Sequence, residues 1–397
     1  MLKNKLHLRQ LSVHGFKSLD NFHSDLEPTL TLFIGQNGAG KSTILQIFSF
    51  IQAFMSGEPL RFFEERAWLV ETIKPVFKKS HLIEIVLTFG RKDETQIIWA
   101  FQWDFKKNIN KGESLQFQNK QKKVEIFAFS AQQAANGIKV GQNVIEGLRL
   151  SGSIFSVLDT NIINNEESRA IAKAVRKWGK GIFSIELMNP AIMRHGARSA
   201  ALQMGYQGKG LTGFLAALSP AQKDRIVKRL SHIPSLKALH TIEKSAGWIN
   251  LQIAENFPMS HNIPAEHISD GYLRLITLAS LPELGDQVSL ILIDEVEDGL
   301  EPHILPDLIE NIHQEQLAQL IMTSHSPVLV NRFQPEQIRF VARDTNGAAI
   351  SVGFHEINEI QKDFEYQGVG EIWFHTSSNT LEQWVRDAVS RERRGEI

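Results

Sequence analysis

The octapeptide Gly35-Gln36-Asn37-Gly38-Ala39-Gly40-Lys41-Ser42 constrains this chain more than any other stretch. It matches G-x-x-x-x-G-K-[ST], and its flanks supply the context that gives the pattern physical meaning. Apolar Leu30, Leu32, Phe33 and Ile34 precede it and read as a buried strand, while Ile44, Leu45, Ile47, Phe48 and Ile51 follow at helical spacing. Strand, glycine turn and helix together predict an α/β fold in which backbone N–H groups curl around a phosphate. The helix start adds a partial positive charge at the same point. On this reading Gly35, Asn37, Gly38, Ala39, Gly40, Lys41, Ser42 and Thr43 form a nucleotide-phosphate site. Lys41 would reach the β- and γ-phosphates, and the Ser42 hydroxyl would hold Mg²⁺. The plainer alternative is a glycine-rich turn that merely fits the pattern.

Composition narrows the rest. The chain has 397 residues, 42% apolar and 22% charged, as expected of a globular protein with a real core in two or three domains, or in one large α/β domain with insertions. A net charge of −1 creates no global field for nucleic acid, so any such binding needs a local patch. The absence of cysteine excludes disulfides, thiolate metal sites and cysteine nucleophiles, and fits a reducing cytoplasm, where the chain is expected to reside. No apolar run approaches a membrane span, and the opening MLKNKLHLRQLSVHG has no apolar signal core. Neither membrane insertion nor secretion is expected.

Along the chain, residues 6–16 and 30–34 read as strands, and a helix runs from the glycine loop to about Met55. Residues 82–89 and 96–103 read as a hairpin rich in β-branched and aromatic residues. The segment with Lys106, Lys107, Lys111, Lys120, Lys122 and Lys123 is expected as a loop or hairpin tip. Residues 166–178 suit a helix, 182–187 a strand, and Ser219-Pro220 a capped helix start running to about Leu230. A short strand is expected at 248–253, and the Arg391–Gly395 end as a frayed tail.

The second half supplies chemistry. Val288–Ile293 is a nearly continuous apolar run, as expected of a central parallel strand, and Asp294-Glu295 stand at its C-terminal end, where open α/β sheets bind ligands. Two adjacent carboxylates there imply division of labour: Asp294 holding the Mg²⁺ of Mg-ATP through water, Glu295 polarising the attacking water. A helix cap with an extra surface acid is the bland alternative. Gln319–Thr323 reads as a second buried strand, followed by Ser324-His325-Ser326-Pro327, which sets His325 where a γ-phosphate could meet it. Ser269, Asp270 and Gly271 precede an apolar helix and offer either a second anion surface or an ordinary serine cap.

The order GQNGAGKS, ISDGYLRL, LILIDE, EDGLEP, TSHSP resembles the ABC-type ATPases of the RecF, SMC and OLD kind, often called AAA-family ATPases. The likeness includes the opening GFKSL and the later Gly368-Val369-Gly370-Glu371-Ile372-Trp373. It implies a P-loop NTPase head with a mixed β-sheet and a helical inserted lobe. It further implies two heads that sandwich two ATP molecules. Ser269, Asp270 and Gly271 would then form a signature acting in trans, Asp298 would sense the opposing head, and His325 would be the switch histidine. Gln132 or Gln133 would contact Mg²⁺. About 225 residues separate Thr43 from Ser269, too few for a long coiled-coil arm, and about 70 follow His325 without an acidic nuclease triad. The expected organisation is a head formed by 1–104 and 269–356, an inserted lobe at 105–268 and a tail at 357–397.

The resemblance implies a cytoplasmic ATPase that dimerises or forms a higher oligomer on ATP. Such a switch would control a separate nuclease-like or toxin-like effector in anti-phage defence or DNA repair. A second reading is a DNA-binding repair clamp, motivated by the lysines at 106–123 and by Lys173, Arg176, Lys177 and Lys180. A third, the nucleotide-binding subunit of a transporter, meets a variant signature, the GFKSL opening and a large insert, all of which argue against it.

Overall fold

The computed structural model describes residues 6–75, 80–91, 94–120, 122–130, 138–140, 143–145, 149–233, 235–258, 261–316, 318–361 and 366–394. Gln132 and Gln133 lie outside these described residues. The chain forms two compact units, one of Met1–Ile182 with Phe333–Ile397, the other of Phe183–Arg332.

In the first unit the strand before the glycine loop, Leu30–Gly35, is buried at every position. It runs parallel to Ile338–Arg343, which pairs antiparallel with Ala349–Gly353. Val341 is in register with Gly35, whose φ is +142°, and any side chain on Gly35 would press into the Val341 carbonyl oxygen. Only glycine satisfies both demands. Helix Lys41–Met55 then carries the apolar residues that its spacing predicts, and burial extends nearly round it. Its Phe54 stacks on Phe101 at 4.0 Å between ring centroids, and Phe50 packs at 5.2 Å from Trp103. Each such ring removed from water contributes about 2–3 kcal/mol, so the aromatic contacts secure the helix whose first turn faces the candidate site.

Phe101 and Trp103 belong to an antiparallel sheet, eight-stranded among the described residues. Its order is Phe22–Asp25, His7–His14, Leu82–Gly90, Gln96–Asp104, Ile109–Gln118, Lys123–Ser130, Ile138–Val140, Asn143–Ile145. The hairpin read at 82–103 is present with continuous register. The lysine-rich segment differs from its expectation. Ile109–Gln118 is a full strand, because Asn110, Glu113, Leu115 and Phe117 turn inward while Lys111 stays on the outer side. The remaining lysines sit at or beside its two turns, so charge density concealed a strand of alternating burial. Helix Glu166–Lys180 begins where Asn165 accepts a hydrogen bond from the Ser168 N–H, and it buries Ile171, Val175 and Trp178. The frayed end is corrected as far as Arg393: helix Ser378–Arg393 buries Leu381, Val385 and Ala388, and Arg391 pairs with Glu359, while Gly395 lies outside the described residues.

The second unit contains the parallel pair Leu290–Ile293 and Gln319–Thr323, buried throughout. The Ile185 N–H donates to the Leu292 carbonyl at 3.1 Å, and the strand expected at 182–187 is confined to Ile182–Ser184. Helix Pro220–Arg229 opens with a capping box between Ser219 and Gln222. It closes on Arg229, buried with Glu283 and bonded to Glu315. Leu236–Lys244, Trp248–Glu255 and Ile263–Pro264 form a separate antiparallel sheet that leads into helix Asp270–Ala279.

Candidate functional site

The first unit carries the glycine loop as its sequence requires. Gly38 and Gly40 adopt φ of +78° and +117°, and the space beside Gly40 is closed by Ser18 Oγ and the Ala349 methyl, each 3.0 Å from where a Cβ would stand. Helix Lys41–Met55 has no side-chain cap, so the N–H groups of its first turn have no capping oxygen from Gly40. That first turn holds Lys41, Ser42 and Thr43. The buried Lys41 ammonium donates to the Gly35 and Gln36 carbonyls at 2.9 and 3.0 Å, which draws it back over its own loop. Asn37 is exposed at the apex, and Ala39 is buried beneath it. A loop of this shape presents donors and a fixed cation to an anion.

The second unit holds the acids. Asp294 is buried and accepts a 2.6 Å hydrogen bond from the Thr323 hydroxyl. The same Thr323 oxygen accepts the Glu295 N–H at 2.8 Å. Ile293 is in register with Met322, so one threonine at the end of the neighbouring strand orients both acids. Glu295 has φ of +44°, a left-handed conformation that a non-glycine residue holds only when its surroundings impose it. His325 is half-buried, and its N–H donates to a Glu297 carboxylate oxygen, while the other oxygen of Glu297 is buried without a partner.

Ser269 caps helix Asp270–Ala279 by accepting the Tyr272 N–H at 3.3 Å, so the ordinary cap is present in the isolated chain. Ser269 and Asp270 are nevertheless exposed. Arg194 ties this turn down, donating to the Ile268 carbonyl at 2.7 Å and pairing with Asp270. Gly271 lies against the Gly299 carbonyl, 3.1 Å from where its Cβ would be. Arg274 donates to the Asp298 carbonyl at 2.8 Å and pairs with its carboxylate at 2.7 Å. The 269–271 turn and the Asp298 loop are thus one assembly within the second unit.

Thr323, Glu297, Arg274 and Arg194 are site residues that the motifs did not nominate. Thr323 was legible in part, since two parallel strands of known ends place a residue opposite Asp294. Arg194 was not, because 76 positions separate it from its partner.

A glycine loop opening a helix beside a buried parallel strand in the first unit, and paired acids ending another such strand in the second, are the parts of a P-loop NTPase of the ABC-ATPase fold. The chain belongs to the family described as "AAA domain, putative AbiEii toxin, Type IV TA system", whose model matches residues 30–331. No curated protein matches it. Among solved structures, an SMC head bound to the C-terminal winged-helix domain of ScpA is 14% identical, with a TM-score of 0.55 over 87% of this chain and 97% of that one. The SMC head with an extended coiled coil, bound to the C-terminal domain of ScpA and derived from Pyrococcus furiosus, is 12% identical, with a TM-score of 0.56 over 91% and 100%. At these identities the likeness concerns the fold. Among the described residues no helix is long and apolar enough to cross a membrane.

Proposed function

We propose that the chain binds Mg-ATP and hydrolyses it as an ATP-gated dimeric switch. The observation that carries the reading is the glycine loop. Its lysine is drawn over the loop by two carbonyls, and the uncapped helix behind it presents N–H groups to an anion. Lys41 neutralises the β- and γ-phosphates, and the loop amides receive their oxygens. Ser42 and Asp294 offer hard oxygen donors, the chemistry Mg²⁺ prefers, with Gln132 or Gln133 as a further donor. The ion, when bound, would neutralise charge on the phosphate oxygens. Glu295, its backbone fixed by Thr323, takes the proton of the attacking water, and His325 senses the γ-phosphate.

Ser269, Asp270 and Gly271 meet the nucleotide of a second copy, and Asp298 reports on that copy. The exposure of Ser269, Asp270 and Asp298, and the bracing by Arg194 and Arg274, support this role. The head is formed by 1–104 and 269–356 around a lobe at 105–268, with 357–397 as its tail. The family description names a toxin of a type IV toxin–antitoxin system, which favours a defence role exercised with a separate protein partner. The DNA clamp is the second reading; of its lysines, Lys120 pairs with Glu94 and Lys122 with Glu167 at the exposed surface, where such pairs are weak.

Sedimentation with ATP tests the switch. Glu295→Gln is expected to bind ATP and accumulate as a dimer, while Lys41→Ala loses both. A Glu295→Gln protein that stays monomeric with saturating ATP would refute it.

A further inference from the structure

We infer that Arg343 is a positioning residue for the phosphate loop and sets how tightly the chain holds a triphosphate, an inference that rests on the ATP-binding reading above. Arg343 ends the strand Ile338–Arg343, which runs beside Leu30–Gly35 with Val341 level with Gly35. Two residues beyond that level, its guanidinium reaches the apex of the loop. Nε and Nη2 both donate to the Gly38 carbonyl, at 2.9 and 2.6 Å, and Nη1 donates to the Gly347 carbonyl at 2.7 Å. One rigid fork therefore joins the loop apex to the turn that follows Arg343.

The apex needs such a fastening. Gly38 is exposed, its φ is +78°, and nothing lies within 4 Å of where a side chain would begin. Behind the fork, the Arg343 carbonyl accepts from Arg386 Nε at 2.8 Å, and Arg386 is itself paired with Glu382 on helix Ser378–Arg393. The fork thus has a fixed base in the same unit.

A trans peptide points its C=O and N–H in opposite directions. Holding the Gly38 carbonyl toward Arg343 therefore aims the Ala39 N–H away from it, and a charged donor on that carbonyl makes the N–H a stronger donor. In this structure the Ala39 N–H rests on the Gln36 carbonyl at 3.2 Å, a long bond that a phosphate oxygen can replace. Without the fork, a triphosphate must order the apex itself, which lowers affinity.

The test is calorimetric titration of MgATP into the full chain and into Arg343→Ala, Arg343→Lys and Lys41→Ala, with amide hydrogen exchange of each protein free of nucleotide. Loss of the two charged bonds to Gly38 is expected to weaken MgATP about tenfold in Arg343→Ala. Lysine cannot span Gly38 and Gly347 together, so Arg343→Lys should recover only part of the affinity. Exchange should quicken across residues 36–40 while helix Lys41–Met55 keeps its protection. Unchanged affinity in Arg343→Ala, full recovery with lysine, or faster exchange throughout the unit would each overturn the inference. A native chain that does not bind MgATP would instead overturn the ATP-binding reading beneath it.

Discussion

Replacing Thr323 by valine should unfasten both acids at once. The substitution keeps the shape of a fully buried side chain and removes one oxygen. That oxygen donates to Asp294 at 2.6 Å and accepts from the Glu295 N–H at 2.8 Å. A hydrogen bond to a carboxylate contributes about 1.5–3 kcal/mol, and an N–H left without a partner costs about 1–3 kcal/mol. Glu295 is half-buried, so water relieves part of the second loss. A destabilisation of about 3 kcal/mol follows for Thr323→Val. Urea unfolding at constant slope would show this as a fall in midpoint of roughly 1 M or less, since the slope of a chain this long is about 3 kcal/mol/M or steeper. Thr323→Ser keeps the hydroxyl and loses one methyl, so it should stay within about 1 kcal/mol of the native chain. On the proposed roles, turnover should fall in the valine protein because Glu295 loses its backbone anchor, and KM for MgATP should rise because Asp294, the proposed Mg²⁺ holder, loses its hydroxyl partner. Equal urea midpoints for the valine and serine proteins would refute the bridging role of the hydroxyl.

Two further outcomes concern stability. Glu113 is fully buried and receives hydrogen bonds from Trp99, Ser153, Asn110 and the Ile154 N–H, yet burial pushes its pKa up to about 7. A carboxyl raised in the folded state binds its proton more tightly there, so its contribution is complete below about pH 4.5 and is lost as pH rises toward about 7. Thermal unfolding should therefore show a loss of about 3 kcal/mol across that window, absent from Glu113→Gln; an identical slope in the variant would exclude Glu113 as its source. In the second unit, Arg229→Met leaves the buried Glu283 without one of its two arginines and should cost about 3 kcal/mol by urea titration. A loss below about 1 kcal/mol would mean that Arg225 alone satisfies that carboxylate.

The local elements were legible where sequence-near residues decide them. Gly35, Gly38 and Gly40 mark positive backbone angles, Ser219-Pro220 marks a helix start, and Leu290–Ile293 marks a buried strand. Each depends on sterics or burial within a few residues. The strand Ile109–Gln118 inside the lysine-rich segment was not legible, since its inward residues Asn110 and Glu113 are polar and find partners only in the fold: Asn110 donates to Glu113 and to the Gly152 carbonyl, and Glu113 accepts from Ser153. Nor did the helix Ser378–Arg393 declare itself among its charges.

The motifs alone pointed to a phosphate loop and paired acids, because those residue types fit few other backbones, and they left the Ser269–Gly271 turn open between an anion surface and an ordinary cap. Folding alone decided which side chains hold them. Thr323 stands 28 positions from Glu295, Arg194 stands 76 from Asp270, and Arg343 stands 305 from Gly38. A hydrogen bond acts over about 3 Å and is indifferent to separation along the chain, so such partners exist only once strands and turns have brought them together.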